Sequence, residues 1–181
     1  MIDHKDSFIG LDMADVDTDF DENEMTPLFE KARQHGIRIT AHAGESPWSG
    51  AIQQIRNCVD LWGAERIGHG VQVVHDPATI QYLIKKQITL ETCPLSNYLT
   101  QSFPTYEGHP LRALIDSGLK ITLNSDDPGI FGSTLSDDYQ LAHQVHQVSA
   151  AEFTKLNQTA AEASFISLEK KQTVWPWALK K

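Results

Sequence analysis

The sequence predicts a parallel α/β fold, because short β-rich runs alternate with helical patterns five times along the chain. No two of these runs are joined by the short Gly- or Asn-containing turn of a β-hairpin, which favours parallel strands connected through helices. Polar residues follow the carboxyl end of every run, at the edge where parallel α/β proteins build their active sites. The strands are predicted at residues 7–13, 37–41, 65–69, 88–92 and 119–124.

The first two units each pair a β-rich run with an amphipathic helix. SFIGLDM is followed by DVDTDFDENE (15–24), which we interpret as a solvated acidic loop, and then by a helix that Gly36 ends. The apolar stripe of this helix is Met25, Leu28, Phe29 and Ala32. IRITA then leads into a second helix, which Gly63 ends. Its apolar face is Ile52, Ile55, Val59 and Trp62.

The remaining three units follow the same order. ERIGH precedes a helix that Pro77 begins, and ITLET leads towards a helix that begins at Pro110 and ends at Gly118. LKITLN is the fifth strand. From about Leu135 to the carboxyl terminus the pattern is helical.

Composition excludes several classes of protein. A net charge of −9 in 181 residues disfavours binding to a nucleic-acid backbone. No apolar run approaches the roughly 20 residues that cross a membrane, and the amino terminus lacks a signal-peptide core, so we expect a cytoplasmic protein. Cys58 and Cys93 are too few for a disulfide framework.

Four strand-end residues suggest metal-assisted chemistry. His42 and Asp126 offer an imidazole and a carboxylate, which suit Zn²⁺ or a similar ion. Glu45 follows a small Ala-Gly turn that lets it face the same pocket, where a desolvated carboxyl could stay protonated as an acid. A metal would lower the pKa of a water molecule that His69 and Asp126 orient or deprotonate. Each residue alone has an ordinary interpretation as a turn, cap or buried histidine, and their joint placement favours a site.

Four segments together resemble the signature segments of the adenosine deaminase family, in the same order and spacing. They are TAHAGE (40–45), ERIGHGV (65–71), CPLSNYLT (93–100) and LNSDDPGIFGSTLSDDY (123–139). The resemblance implies a zinc-dependent (β/α)8 TIM barrel that hydrolyses adenosine to inosine and ammonia in purine salvage. It covers about strands 4 to 8 with their helices, plus the carboxyl-terminal helices. Residues 1–181 would then be a single catalytic domain that lacks the first βα units.

The resemblance also implies roles for five residues. His42 and Asp126 correspond to zinc ligands, and Asp126 also contacts the attacking water. Glu45 corresponds to the acid that protonates N1 of the purine and makes C6 electrophilic. His69 corresponds to the residue that orients and deprotonates the water, and Asp127 to a hydrogen-bonding partner of N7.

Two departures from the family pattern affect these expectations. The family's first strand ends in His-x-His, which supplies two further zinc ligands, and no His-x-His occurs in this sequence. The nearest pattern, His143 and His146, is predicted to lie on the solvated face of a late helix. Asp15 stands where the family has a glycine whose backbone N–H meets purine N3, so we expect that contact to differ.

Three functions stay open at this point. The first is a part of an adenosine deaminase, which we expect to be inactive or nearly inactive alone. Its ligands would be a purine nucleoside and, in the complete site, one zinc ion. The second is an adenine deaminase, although Gly68 before His69 favours adenosine. The third is a non-catalytic fragment that binds a partner or self-associates through open sheet edges. The Pro-Cys-x-x-Cys pattern of cytidine-type deaminases and the His-Glu-x-x-His zinc motif are absent.

Overall fold

The structure, a computed structural model, describes residues 4, 7–15 and 22–178 and confirms the parallel α/β prediction. Most of the acidic loop predicted at 15–24 lies outside the described residues. Five strands form one parallel sheet in chain order. They are β1 (Gly10–Met13), β2 (Arg38–Ala43), β3 (Arg66–His69), β4 (Thr89–Thr92) and β5 (Lys120–Leu123).

Helices follow the strands, as the sequence patterns predict, and three short ones were not foreseen. The helices are α1 (Glu22–Gln34), α2 (Ala51–Asp60), α3 (Pro77–Lys86), α4 (Pro94–Leu99), α5 (Leu111–Asp116), α6 (Pro128–Phe131), α7 (Leu135–His146), α8 (Ala150–Ala163) and α9 (Leu168–Val174). The unforeseen ones are α4, α6 and a 3₁₀ helix over Val71–His75. All three begin at or just after the carboxyl end of a strand, so they shape the edge where the polar residues lie.

The main core lies between the sheet and the helices. Ile39, Ile67 and Leu90 from the three central strands are fully buried, and Phe29 of α1 stacks on Trp62 at 4.7 Å between ring centroids. The prediction that Leu28 shares the buried stripe of α1 was wrong, because Leu28 is 58% exposed.

The segment after α8 packs against the amino-terminal ends of β2 and β3. The guanidinium groups of Arg38 and Arg66 lie 4.2 and 3.6 Å from the ring centroid of Phe165. The same side chains donate hydrogen bonds to the carbonyl oxygens of Ser164 and Ala163. These contacts hold the segment after α8 at the edge of the sheet opposite the one where the predicted site residues lie.

The two outer strands are β1 and β5, and each pairs with one neighbour in the described sheet. Helix α8 packs against β5. Within the described residues, no helix is both long and apolar enough to cross a membrane.

The structure corrects one prediction about α7. His143 is exposed as predicted, but His146 is only 6% exposed and packs its ring 5.4 Å from that of Tyr106. The reason is helical periodicity, because His146 lies four and eight residues after the buried Ala142 and Asp138 and so shares their face. The prediction relied on the polar composition of α7, which does not show which face of the helix is solvated.

Candidate active site

His42 is positioned by its neighbours on both adjacent strands. It pairs with Gly68 of β3, where an added Cβ would lie 2.8 Å from His42 Cγ, so glycine makes room for the ring. Nδ1 of His42 lies 3.2 Å from Oδ1 of Asp12, a partner that fixes the ring and directs Nε2 elsewhere. Burial lowers the pKa of His42, but the carboxylates of Asp12, Asp126 and Glu45 outweigh it and raise the pKa overall.

A sharp turn after β2 directs Glu45 towards the same region. Gly44 has φ +67°, and a Cβ there would lie 2.4 Å from Ile55 Cδ1, so the position requires glycine. Oε1 of Glu45 accepts three hydrogen bonds, from Thr100 Oγ1 (2.9 Å), Asn97 Nδ2 (3.2 Å) and Ser102 Oγ (3.4 Å). Oε2 lies 3.4 Å from Nε2 of His69. A proton on this carboxyl would therefore lie on Oε2, because Oε1 is occupied as an acceptor.

Backbone strain is concentrated at this edge. Asp15, His69 and Asp126 have φ values of 121°, 59° and 58°, a region that L residues rarely occupy. Each follows or ends a strand, and none caps a long helix as Gln87 and Gln147 do. Strained residues of this kind are typical of functional sites, where the surrounding structure holds them in place.

Two imidazoles and a carboxylate converge here. Candidate ligand atoms of His42, His69 and Asp126 all lie within 4.8 Å of one another, and this donor set fits a zinc-like ion. His69 is only 2% exposed, and its ring meets that of His42 at 5.2 Å. Oδ2 of Asp126 accepts a hydrogen bond from Ser96 Oγ at 2.6 Å, which orients the carboxylate.

A cavity of about 320 Å³ opens beside this cluster. It is lined by Ala14, Asp15, His42, Glu45, Ser46, His69, Thr100, Ser102, Asp126, Asp127 and Phe131. Four of these side chains are carboxylic acids, and among the described residues no Lys or Arg lines the cavity. The cavity is large enough for a purine, and the described part of the chain offers no Lys or Arg there to bind a phosphate.

Every residue that the sequence analysis singled out for the site lines this one cavity. Glu45, His69 and Asp126 lie close together, whereas Asp127 is exposed at the N-cap position of α6, where its side chain makes no capping hydrogen bond. No role was predicted for Asp12 or for the side chains of α4 and the loop after it. Helix α4 and Thr100 belong to the segment CPLSNYLT (93–100), whose position after β4 was the available signal, whereas Asp12 and Ser102 lie outside it.

The comparison with known sequences decides the family. The sequence model described as adenosine deaminase matches residues 1–176. The chain belongs to the adenosine deaminase family. Adenosine deaminase of Shewanella denitrificans is 37% identical over 164 residues, which cover 91% of this chain and 49% of that protein. The chain thus spans about half the length of the curated relatives it matches.

Solved structures give the same result for the fold. Adenine deaminase of Arthrobacter aurescens is 28% identical, with a TM-score of 0.87 over 98% of this chain and 54% of that one. N6-methyl-AMP deaminase of Arabidopsis thaliana is 27% identical, with a TM-score of 0.79 over 91% and 47%. These matches support the prediction of an incomplete TIM barrel, because the five-stranded sheet corresponds to about half of each complete deaminase.

In this member of the family, a buried carboxyl holds α4 in place. Oδ1 of Asp138 accepts a hydrogen bond from the backbone N–H of Leu95 at 3.2 Å, and Oδ2 has no hydrogen-bond partner among the described residues. Burial raises the pKa of Asp138 to about 6. Since the folded chain then binds the proton more tightly than the unfolded chain, the stability from this group falls as the pH rises from about 4 to above 6.

We expect Asp138→Asn to increase the free energy of unfolding at pH 8 by about 1 to 3 kcal/mol, because it removes a buried charge and keeps an acceptor for Leu95. The gain should shrink towards zero at pH 4.5. Urea unfolding at both pH values measures it. The control is Asp116→Asn on an exposed α5 position, where we expect less than about 0.5 kcal/mol at either pH. A gain for Asp138→Asn that does not depend on pH would contradict the assigned cause.

Proposed function

We propose that this chain forms the purine-binding half of a zinc-dependent deaminase that hydrolyses adenosine to inosine and ammonia. The observation that carries the proposal is the convergence of Glu45, His69 and Asp126 around one cavity, on segments that match the family. Residues 1–181 are, in this proposal, one catalytic domain without the first βα units.

The donor set supports zinc as the cofactor. His42 and Asp126 would hold the ion, Asp12 would fix the His42 ring, and Ser96 would orient Asp126. A bound zinc supplies a water molecule that ionises near neutral pH. Because two further ligands of the family site are absent from this sequence, we expect one zinc per complete site and weak binding here.

The reaction assigns a task to each of the other side chains. Glu45, with Oε1 held by three donors, presents Oε2 and donates its proton to purine N1, which makes C6 electrophilic. His69 and Asp126 face each other, with Nε2 and Oδ2 3.8 Å apart, and orient or deprotonate the attacking water. Asp127 is exposed at the cavity mouth and forms a hydrogen bond with purine N7. A protonated Asp127 carboxyl donates to N7, and a carboxylate accepts from N7 when that nitrogen is protonated.

The direct test is the conversion of adenosine to inosine, followed by the change in ultraviolet absorbance. We expect no or nearly no turnover by this chain alone, and turnover by a form that contains all eight βα units. Zinc-loaded complete protein that leaves adenosine unchanged would reject the proposed function.

The charge of the cavity favours an uncharged purine over a nucleotide. A 5′-phosphate would add two negative charges near Asp15, Glu45, Asp126 and Asp127, with no Lys or Arg from the described residues to balance them. We therefore expect the complete form to prefer adenosine over AMP and N6-methyl-AMP by more than about 100-fold in kcat/KM, equivalent to about 3 kcal/mol. Rates with each substrate at matched concentrations measure it, and equal rates would contradict it.

Two alternatives keep specific support. The likeness to an adenine deaminase favours adenine as substrate, and the ratio of adenosine to adenine turnover separates the two. The outer strands β1 and β5 favour a fragment that binds a partner or itself through its sheet edges. An oligomeric state that increases with protein concentration, together with no purine turnover, would support a partner-binding fragment. A monomer that deaminates a purine would exclude it.

A further inference from the structure

Asn97 connects the two acid–base residues of the cavity to a buried histidine. Its side chain is fully buried, and Nδ2 lies 3.0 Å from Nδ1 of His69 and 3.2 Å from Oε1 of Glu45. On the other side, Oδ1 lies 3.2 Å from Nε2 of His109, which is 3% exposed. The backbone N–H of Leu111 completes the chain by donating to Nδ1 of His109 at 3.1 Å.

The donor and the acceptor of each hydrogen bond in this series, from Leu111 to Glu45, follow from the groups at its two ends. The Leu111 N–H can only donate, so Nδ1 of His109 accepts. Burial lowers the pKa of His109 to about 3, so the ring is neutral and its one proton is on Nε2. Asn97 Oδ1 therefore accepts from His109. At the opposite end, Glu45 Oε1 is an acceptor and requires the same amide orientation, with Nδ2 towards the cavity.

We infer that Asn97 and His109 are positioning residues that hold His69 as its Nε2–H tautomer, with an N–H bond rather than a lone pair directed into the cavity. Asn97 Nδ2 donates to Nδ1 of His69, so the proton of the neutral ring is on Nε2. That nitrogen faces Oε2 of Glu45 at 3.4 Å and Oδ2 of Asp126 at 3.8 Å. The same Asn97 amide ties the Glu45 carboxyl to the His69 ring.

The inference deepens the proposed function and rests on it for its catalytic meaning. Neutral His69 in this tautomer orients the attacking water by donating a hydrogen bond, and Nε2 has no lone pair with which to accept the water's proton. That proton then passes to the carboxylate of Asp126. The tautomer itself is a property of this chain and is measurable without substrate, metal or activity.

The experiment is ¹⁵N NMR of the histidine side chains of the ¹⁵N-labelled chain at pH 8. We expect His69 and His109 each to show a protonated Nε2 and an unprotonated Nδ1, while the exposed His75 shows the averaged signals of a mixture. In Asn97→Asp the new carboxylate cannot donate, so His69 should convert to the Nδ1–H tautomer while His109 keeps its own. The control Asn57→Asp, on α2, should leave His69 unchanged.

Either of two results would overturn the inference: an Nδ1–H tautomer of His69 in the parent chain, or an Nε2–H tautomer that persists in Asn97→Asp. If Asn97→Asp does not fold, the parent spectrum and Asn97→Ser, whose hydroxyl can still donate, decide the question. A complete protein that fails to deaminate adenosine would reject the proposed function and leave the tautomer result standing. In an active complete form, we expect Asn97→Asp to lower kcat by about 10- to 100-fold, as the loss of an orienting partner typically does, with little change in KM.

Discussion

Replacing Glu45 by Gln should lower kcat for adenosine by about 10²- to 10⁴-fold in a form with all eight βα units, the range that general acid catalysis contributes. The amide keeps an oxygen that can accept the bonds from Thr100 and Asn97, so the side chain should stay in place. It places an NH2 group where Oε2 would carry the transferable proton. Steady-state kinetics at saturating adenosine measure the loss.

The zinc content separates loss of the acid from loss of the site. Elemental analysis should give the same zinc content for Glu45→Gln as for the parent, because Glu45 is not one of the three clustered donors. A matched control is Glu65→Gln at the opposite end of the strands, where the carboxylate pairs with Arg38. This control should keep full activity, and turnover retained in Glu45→Gln would refute its role as the acid.

Loss of His42 should remove zinc binding from this chain. We expect the parent chain to bind zinc reversibly and to lose it on extended dialysis, since His42 and Asp126 alone make an incomplete cage. His42→Ala removes a proposed zinc ligand. Loss of a residue that only hydrogen-bonds to a ligand weakens metal affinity by at least about tenfold, so we expect His42→Ala to weaken the zinc affinity by much more than that. Isothermal titration with zinc, followed by elemental analysis after dialysis, measures both quantities.

Two variants calibrate this result. His75→Ala removes an exposed imidazole that does not line the cavity, and it should leave the zinc affinity unchanged. Asp12→Asn removes the charge that holds the His42 ring and should weaken the zinc affinity by about 10- to 100-fold. Unchanged zinc affinity in His42→Ala would exclude this cluster as the metal site, and one tightly retained zinc per parent chain would show that other residues complete it.

The sequence was most informative where structure depends on local chemistry. The five strands and the larger helices were predictable, because turn glycines, Pro77 and Pro110 and the apolar periods act over a few residues. The short helices α4 and α6 carry little periodicity over six and four residues, and α4 also lacks a closing glycine such as Gly118, which marked the equally short α5. His146 was misplaced because composition does not reveal which face of α7 meets Tyr106.

For the site, the order of residues along the chain was enough to place His42, Glu45, His69, Asp126 and Asp127 at one edge of a parallel sheet, because the carboxyl ends of all strands in such a sheet lie at the same edge. It could not determine which atoms meet. The folded structure was needed to show that Asp12 contacts His42 and that Asn97 joins Glu45, His69 and His109. Those partners are 12 to 52 residues apart along the chain, and their hydrogen bonds depend on how β1, β2, β3 and α4 come together in the fold rather than on any local pattern.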